Sequence, residues 1–576
     1  MLECFDTKAI AGKALSALLP IFLLGCSSIP LASSQALAQS ELPEVDGADT
    51  DSQLMYELMI AELAGRRGQL DIAMAGYIQA SKRTDDPRVS ERATRLSIFG
   101  SQWEEAEKAA RRWIELDPDT SEGPQILGQS LLRQEKTDEA AQLYTELVKN
   151  SNNRRQTLGD VQFELQRNEN PAISVAVMQT LVNTFDKEGE AYLGLARAHI
   201  TNNENVAALE AADAAVELSP SDANALLLRA QILSGTGKPE EALASLKTAL
   251  EATPDNTQLR LGYAQVLIEG GRYDEVGTEL DRIHSESLEN PDTLLTISLF
   301  AIESRRIDQA RVFLADLLAS GKYGDQANFY LARVSDDQQE FVQAVAYYDA
   351  VAEGELRFTA RLRAAELTAQ LGNLEEGRSR LQSLATSSPN PAVQPGLVAT
   401  ESRMLQDANQ NAEALRVLND GLVRFPDDKD LLYARALTAD SSGDNGMMID
   451  DLNRLIELDP DNAHALNALG YHYADKNIEL ERAEQLLVKA NELLPEDPAI
   501  MDSLGWLRFR KGQYDEAIKL LRSAYELYPD PEIAAHLGEA LWLAGSEDEA
   551  KTIIAAALEK DPEDKRLLSV RDTVFK

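Results

Sequence analysis

Residues 499–529 read AIMDSLGWLRFRKGQYDEAIKLLRSAYELYP, and this stretch decides the fold. Residues 499–510 are apolar at helical spacing, with Leu504, Trp506 and Leu507 among the apolar positions. Lys511-Gly512-Gln513 breaks the pattern, because glycine releases the backbone into a turn. Residues 514–528 resume it, and Pro529 stops it because proline cannot donate an amide hydrogen to a continuing ladder. The stretch predicts a helix–turn–helix unit of about 34 residues.

The unit recurs along almost the whole chain. A small residue stands at Ala73, Ala106, Ala140, Ser174, Ala208, Ala242, Val276, Ala310, Ala344, Gly377, Ala414, Met448, Ala483, Ala517 and Ala550, with Val276 and Met448 the larger exceptions. The steps are 33 to 35 residues, with one of 37. A proline follows twelve residues later at Pro118, Pro220, Pro254, Pro389, Pro426, Pro460, Pro495, Pro529 and Pro562. A fixed period of this length means a solenoid. Leu-Gly pairs recur in the first helices, at Leu127-Gly128, Leu193-Gly194, Leu261-Gly262, Leu469-Gly470, Leu504-Gly505 and Leu537-Gly538. They predict close helix approach. Acidic pairs such as Asp274-Glu275 and Asp515-Glu516 open second helices, where carboxylates favour the positive end of the dipole.

These residues resemble the tetratricopeptide repeat: Leu-Gly in helix one, small positions in helix two, proline at the end. The resemblance covers residues 53–562 and implies an all-α fold, a right-handed superhelical solenoid of about fifteen helix pairs. It is faint near Ser174, Gly377 and Met448, where two pairs read as degenerate. Residues 563–576 begin with a polar face (Glu563, Asp564, Lys565, Arg566) suited to a capping helix.

A chain of 576 residues is too long for one globular core, and a solenoid avoids that limit because each repeat contacts its neighbours. The net charge of −40 argues against nucleic acid, whose phosphates are held by Lys and Arg. It suits a soluble acidic surface and the attraction of basic partners. The two cysteines, Cys4 and Cys26, lie outside the repeats, so the repeats hold no disulfide framework and no cysteine metal site.

The amino terminus reads as an address. Lys8 and Lys13 precede an apolar run, residues 14–24, of signal-peptide length and too short to span a bilayer. Leu23-Leu24-Gly25-Cys26 resembles a bacterial lipobox, which implies removal of residues 1–25 and acylation of Cys26. Ser27 in place of Asp implies, by the same resemblance, the periplasmic face of the outer membrane. Residues 26–52, rich in Ser, Ala, Asp and Pro, read as the lipidated cysteine and a flexible tether.

Catalytic chemistry is not legible. The histidines (His199, His284, His464, His472, His536) form no His-Glu-x-x-His pattern and read as repeat-surface residues. Ser234-Gly235-Thr236-Gly237-Lys238 lacks the phosphate-loop spacing, and Pro239 replaces its Ser/Thr, so it reads as an inter-helix turn. Asp336-Asp337 and Asp427-Asp428 read as caps at helix starts. No cofactor, metal or enzyme activity is expected.

By the repeat resemblance, first helices line the inner groove. The register then places Asn467, Tyr471, Asp502, Trp506, Phe509, Arg510, Glu539 and Trp542 there as candidate partner-binding residues. Aromatic clustering in a chain with only 6% aromatic residues marks a hot spot. The competing reading is that Trp506 and Trp542 fill gaps between repeats. Asp502 and Glu539 in the groove argue against capture of acidic carboxyl-terminal tails.

Lipobox, tether and repeat array, with Asp502-Ser503-Leu504-Gly505-Trp506 and Ala535-His536-Leu537-Gly538, resemble the large periplasmic repeat lipoproteins of Gram-negative bacteria. That resemblance implies a non-enzymatic adaptor. It would bind and activate a carboxyl-terminal-processing serine protease and deliver basic peptidoglycan hydrolases to it. The alternative is an assembly or pilotin-type factor for an outer-membrane secretin, β-barrel or polysaccharide exporter.

Overall fold

A computed structural model of the chain describes residues 49–388 and 390–575. Cys26, the leader 1–25, nearly all of the tether and Pro389 lie outside the described residues. Regular structure among the described residues is helical throughout. The chain packs as two compact units, the first ending at Ser320 and the second beginning at Gly321.

Among the described residues the first unit holds eight antiparallel helix pairs, from Thr50–Arg66 with Leu70–Ser81 to Pro291–Glu303 with Ile307–Ala319. The second holds seven, from Gly324–Asp337 with Phe341–Asp349 to Pro531–Leu543 with Glu547–Lys560. The fold is therefore an all-α tetratricopeptide-type solenoid of fifteen pairs. The faint repeats are complete: Arg154–Leu165 with Pro171–Thr184, Leu356–Gln370 with Leu374–Ser387, and Lys429–Ser441 with Asn445–Leu458.

Three local devices make each pair. An Asp or Asn side chain accepts the free amides at the start of many first helices; Asp222, Asn256, Asn290, Asp428, Asn462, Asp497 and Asp530 all do so. The turn inside each pair then places a residue in the left-handed region: Gly271 and Gly512 in two repeats, but Ser101, Glu135, Arg305 and Gln339 in others. The pair Arg154–Leu165 with Pro171–Thr184 departs from this, with a longer connection. Finally, the small residue of the second helix is buried against the first helix. Ala73, Ala106, Ala140, Ala483, Ala517 and Ala550 have no exposed surface. In the faint repeats the position stays buried, with Ser174 donating its hydroxyl to the Leu165 carbonyl at 2.9 Å and Met448 occupying the core.

Three of the Leu-Gly glycines, Gly470, Gly505 and Gly538, stand where an added side chain would clash with the second helix of the pair. A Cβ on Gly505 would lie 2.7 Å from Leu521 Cγ, on Gly470 2.6 Å from Leu487 Cγ, and on Gly538 2.7 Å from Ile554 Cγ1. The Gly505→Val variant is expected to lose about 1–3 kcal/mol from overpacking. A lower urea midpoint for the second unit, at unchanged slope, is the check.

One expected cap is corrected. Asp428 does cap a helix, accepting from the Leu431 amide at 3.0 Å. Asp336 and Asp337 instead lie at the end of Gly324–Asp337. There Asp336 serves a different purpose, accepting a forked pair from Arg363 at 2.7 and 3.0 Å across to the next repeat.

After the last pair, Lys565–Ser569 runs into a single π turn, Val570–Val574. Leu567 and Val570 are buried against the final pair, while Lys565, Arg566, Arg571 and Asp572 face solvent.

Candidate partner-binding face

Three successive first helices of the second unit carry the sequence candidates: Ala463–Asp475, Pro498–Arg510 and Pro531–Leu543. Each is started by a side-chain cap, Asn462 to the Ala465 amide at 3.0 Å, Asp497 to Ile500 at 3.0 Å and Asp530 to Glu532 at 2.8 Å. The caps fix the register, and the register brings one residue set together across all three helices.

His536 is its centre. Its Nδ1 lies 3.0 Å from both carboxylate oxygens of Asp502, one repeat earlier. The Trp506 ring stacks on the imidazole at 4.1 Å and 20°, and Phe509 stacks on Trp506 at 4.7 Å and 14°. The Arg510 guanidinium sits 4.6 Å from the Trp506 centroid, and its Nη2 donates to the Asp475 carbonyl at 2.9 Å. Tyr471 lies 6.1 Å from His536 and donates its hydroxyl to Glu532 at 2.6 Å, reaching across the middle repeat.

Burial divides the candidates. Asp502, Trp506 and Phe509 are buried, at 5%, 4% and 7% exposure. Asn467, Tyr471, Arg510, Glu539 and Trp542 are half-buried and keep surface for a ligand. Trp542 stands apart from the His536 set, stacked on Phe575 at 4.5 Å with the Lys551 ammonium 4.9 Å away. Three buried side-chain polar atoms on these helices have no hydrogen-bond partner among the described residues: Asn467 Oδ1, Trp506 Nε1 and Arg510 Nε. All three atoms lie beneath the surface, so they are an interior cost of the packing and not contacts open to a ligand.

The electrostatics are acidic. Burial resists charge on His536, but Asp502 outweighs it by attraction and hydrogen bonding, with Glu532 and Glu539 adding, and the imidazole is held above its ordinary value. Burial also raises the Asp502 carboxyl against the pull of His536. Glu539 is raised by burial, with Arg510 and His536 opposing.

His536 and His472 correct the reading of the histidines as surface residues: both are buried. His472 is pushed below its ordinary value by burial. The 34-residue separation of Asp502 and His536 was the available signal, since residues one period apart meet across a repeat interface. No cluster of three metal-ligating side chains occurs among the described residues.

The tetratricopeptide-repeat pattern matches residues 99–154, 164–223, 233–292, 430–462 and 508–572. A TPR repeat-containing protein of Pseudomonas aeruginosa is 32% identical over 540 residues, covering 90% of this chain and 89% of its own. The chain belongs to the tetratricopeptide-repeat family. Among solved structures, it is similar to a thermophilic TPR protein of Thermus thermophilus at 25% identity and a TM-score of 0.29, covering 31% of this chain and 98% of that one. MamA of Desulfovibrio magneticus RS-1 aligns at 19% identity and a TM-score of 0.26, over 30% and 97% of the two chains. Tetratricopeptide repeats are protein-interaction scaffolds, typically without catalysis of their own. The half-buried polar and aromatic face of the three helices is suited to that use.

Proposed function

We propose that this tetratricopeptide-repeat chain is a lipid-anchored adaptor on the periplasmic face of the outer membrane. It holds and activates a carboxyl-terminal-processing serine protease and presents peptidoglycan hydrolases to it. The anchor is the acylated Cys26 of the Leu23-Leu24-Gly25-Cys26 motif. The observation that supports the reading most is the face around His536. It offers half-buried aromatic and polar side chains, Asn467, Tyr471, Arg510 and Glu539, spread over three successive helices, and so suits an extended chain more than a small molecule. The charge of −40 suits basic clients, and hydrolases that bind the anionic wall polymer are often basic. Holding protease and client on one scaffold raises the effective concentration of each for the other.

The test is affinity capture from envelope extract with the chain as bait, with Arg510→Glu as the comparison. Recovery of a periplasmic serine protease and wall hydrolases, lost or reduced with Arg510→Glu, is the expected result. Recovery of an outer-membrane channel or its assembly factors without a protease would replace this reading by the assembly-factor one.

A further inference from the structure

The first described helix, Thr50–Arg66, buries one side and leaves the other uncovered by the described residues. Gln53, Glu57, Ala61 and Ala64 face its partner helix. Met55, Met59 and Leu63 stand 66%, 58% and 48% exposed, four residues apart in one ridge. In later repeats of this unit the Leu63 end of that ridge is where neighbouring repeats meet, while the Met55 position carries exposed polar residues such as Arg88, Glu122, Asn224 and Gln258. The counterparts of Leu63, ten residues before each small residue, are buried at Ser130, Ala198, Ile232, Val266 and Phe300 and half-buried at Leu96. Those of Met59 are buried at Gly194 and Leu228, half-buried at Ile126, Gly262 and Thr296, and exposed and polar at Arg92 and Asp160. Solenoid ends are ordinarily finished with a polar outer face. The carboxyl-terminal end has one, with Lys565, Arg566, Arg571 and Asp572 outward. The first helix presents methionine and leucine instead.

We propose that this ridge is an interface with a second copy of the chain, packed antiparallel about a two-fold axis at Met59. The ridge is complementary to itself in that arrangement. Met59 meets Met59, and Met55 meets Leu63 of the second copy. The helix also carries Asp51 in its first turn and Arg66, followed by Arg67, at its end. Antiparallel alignment therefore sets acid against base at both ends, where parallel alignment would set like against like. Ridges four residues apart interdigitate readily at a crossing angle of about −50°. A contact of one patch with itself closes as a dimer and does not propagate. Methionine adapts to such a surface without a fixed shape. This inference does not rest on the adaptor reading.

The experiment is sedimentation equilibrium on residues 26–576 carrying Cys26→Ser, which lacks the apolar leader and leaves no other cysteine. Twice the chain mass is expected, falling to one chain mass with Met59→Glu, whose two carboxylates would meet on the axis, at unchanged helical circular dichroism. In the same background Met59→Cys is expected to form a disulfide-linked dimer. Met55→Cys alone is not, because its two copies stand about 12 Å apart at 1.5 Å per residue. Mixing Met55→Cys with Leu63→Cys chains restores the crosslink. A single-chain mass at roughly 100 µM would overturn the proposal. So would a dimer indifferent to Met59→Glu. A chain that stays monomeric while phosphatidylethanolamine–phosphatidylglycerol vesicles bind it through Met59 would assign the ridge to lipid and overturn it equally.

Discussion

The Asp502→Leu variant is expected to lose about 3–5 kcal/mol of stability in the second unit, because it strands His536 in the interior. The geometry sets the size of the effect. Asp502 and His536 are both buried, both carboxylate oxygens face Nδ1 at 3.0 Å, and Trp506 covers the imidazole face. With leucine at 502 the imidazole must discard its charge or hold it without a counter-ion. Replacing both partners, as Asp502→Leu with His536→Leu, is expected to recover most of the loss, since a buried ion pair contributes little beyond an apolar pair of similar volume. Hydrogen exchange across Pro498–Arg510 and Pro531–Leu543 reads the effect locally, where a melt of the whole chain would blend two units. Equal protection in the single and double variants would mean that the pair is not a coupled element.

The same pair gives a pH dependence with a definite sign. His536 ordinarily titrates at 6.5 and is held higher in the folded chain. The folded state therefore binds this proton when the unfolded state has released it. The stabilisation is complete below about pH 6.5 and disappears as pH rises through the raised folded value. Asp502, also raised, acts in the same sense from its ordinary 3.8 upward. Subtracting the pH–stability curve of the double leucine variant from that of the parent isolates this contribution. The difference is expected to fall with rising pH, and a difference that grows would reverse the assignment.

The repeat and its boundaries were legible because they rest on local chemistry. Glycine, proline and a small residue at fixed intervals need no knowledge of the neighbouring repeat. The faint repeats were underread for a physical reason. Two of them keep a turn glycine in the left-handed region, Gly372 and Gly443, so the turn survives where other marks of the repeat are lost. Ser174 and Met448 likewise keep the buried position without being alanine. The histidines were misread because a buried histidine and a surface one look alike until their partner is known, and Asp502 lies a whole repeat from His536. Asp336-Asp337 has the composition of a cap but ends its helix, a distinction that depends on where the helix starts. That the candidate positions fall on three successive first helices was legible from the period. Which members line the face and which lie beneath depends on stacking that the period does not encode: Trp506 and Phe509 lie beneath, Tyr471 and Arg510 at the surface.

That distinction decides what Trp506→Ala measures. A tryptophan on an open face would lose partner affinity and little stability. Trp506 is instead enclosed by His536, Phe509 and Arg510, so removing it opens a cavity between two repeats. The expected cost is about 3–5 kcal/mol. Because repeats in a solenoid depend on their neighbours, faster exchange is expected in Pro498–Arg510 and Pro531–Leu543 and not in the distant helix Gly324–Asp337. Arg510→Ala is the contrasting variant. Its side chain is half-buried, and trimming it removes the charge over the Trp506 ring while the stack on His536 remains. Its stability loss is expected to stay within about 1 kcal/mol, as a partly exposed cation–π contact contributes. If Trp506→Ala matched Arg510→Ala in protection, the indole would not be holding the repeats together, and the aromatic set would act as a binding surface alone.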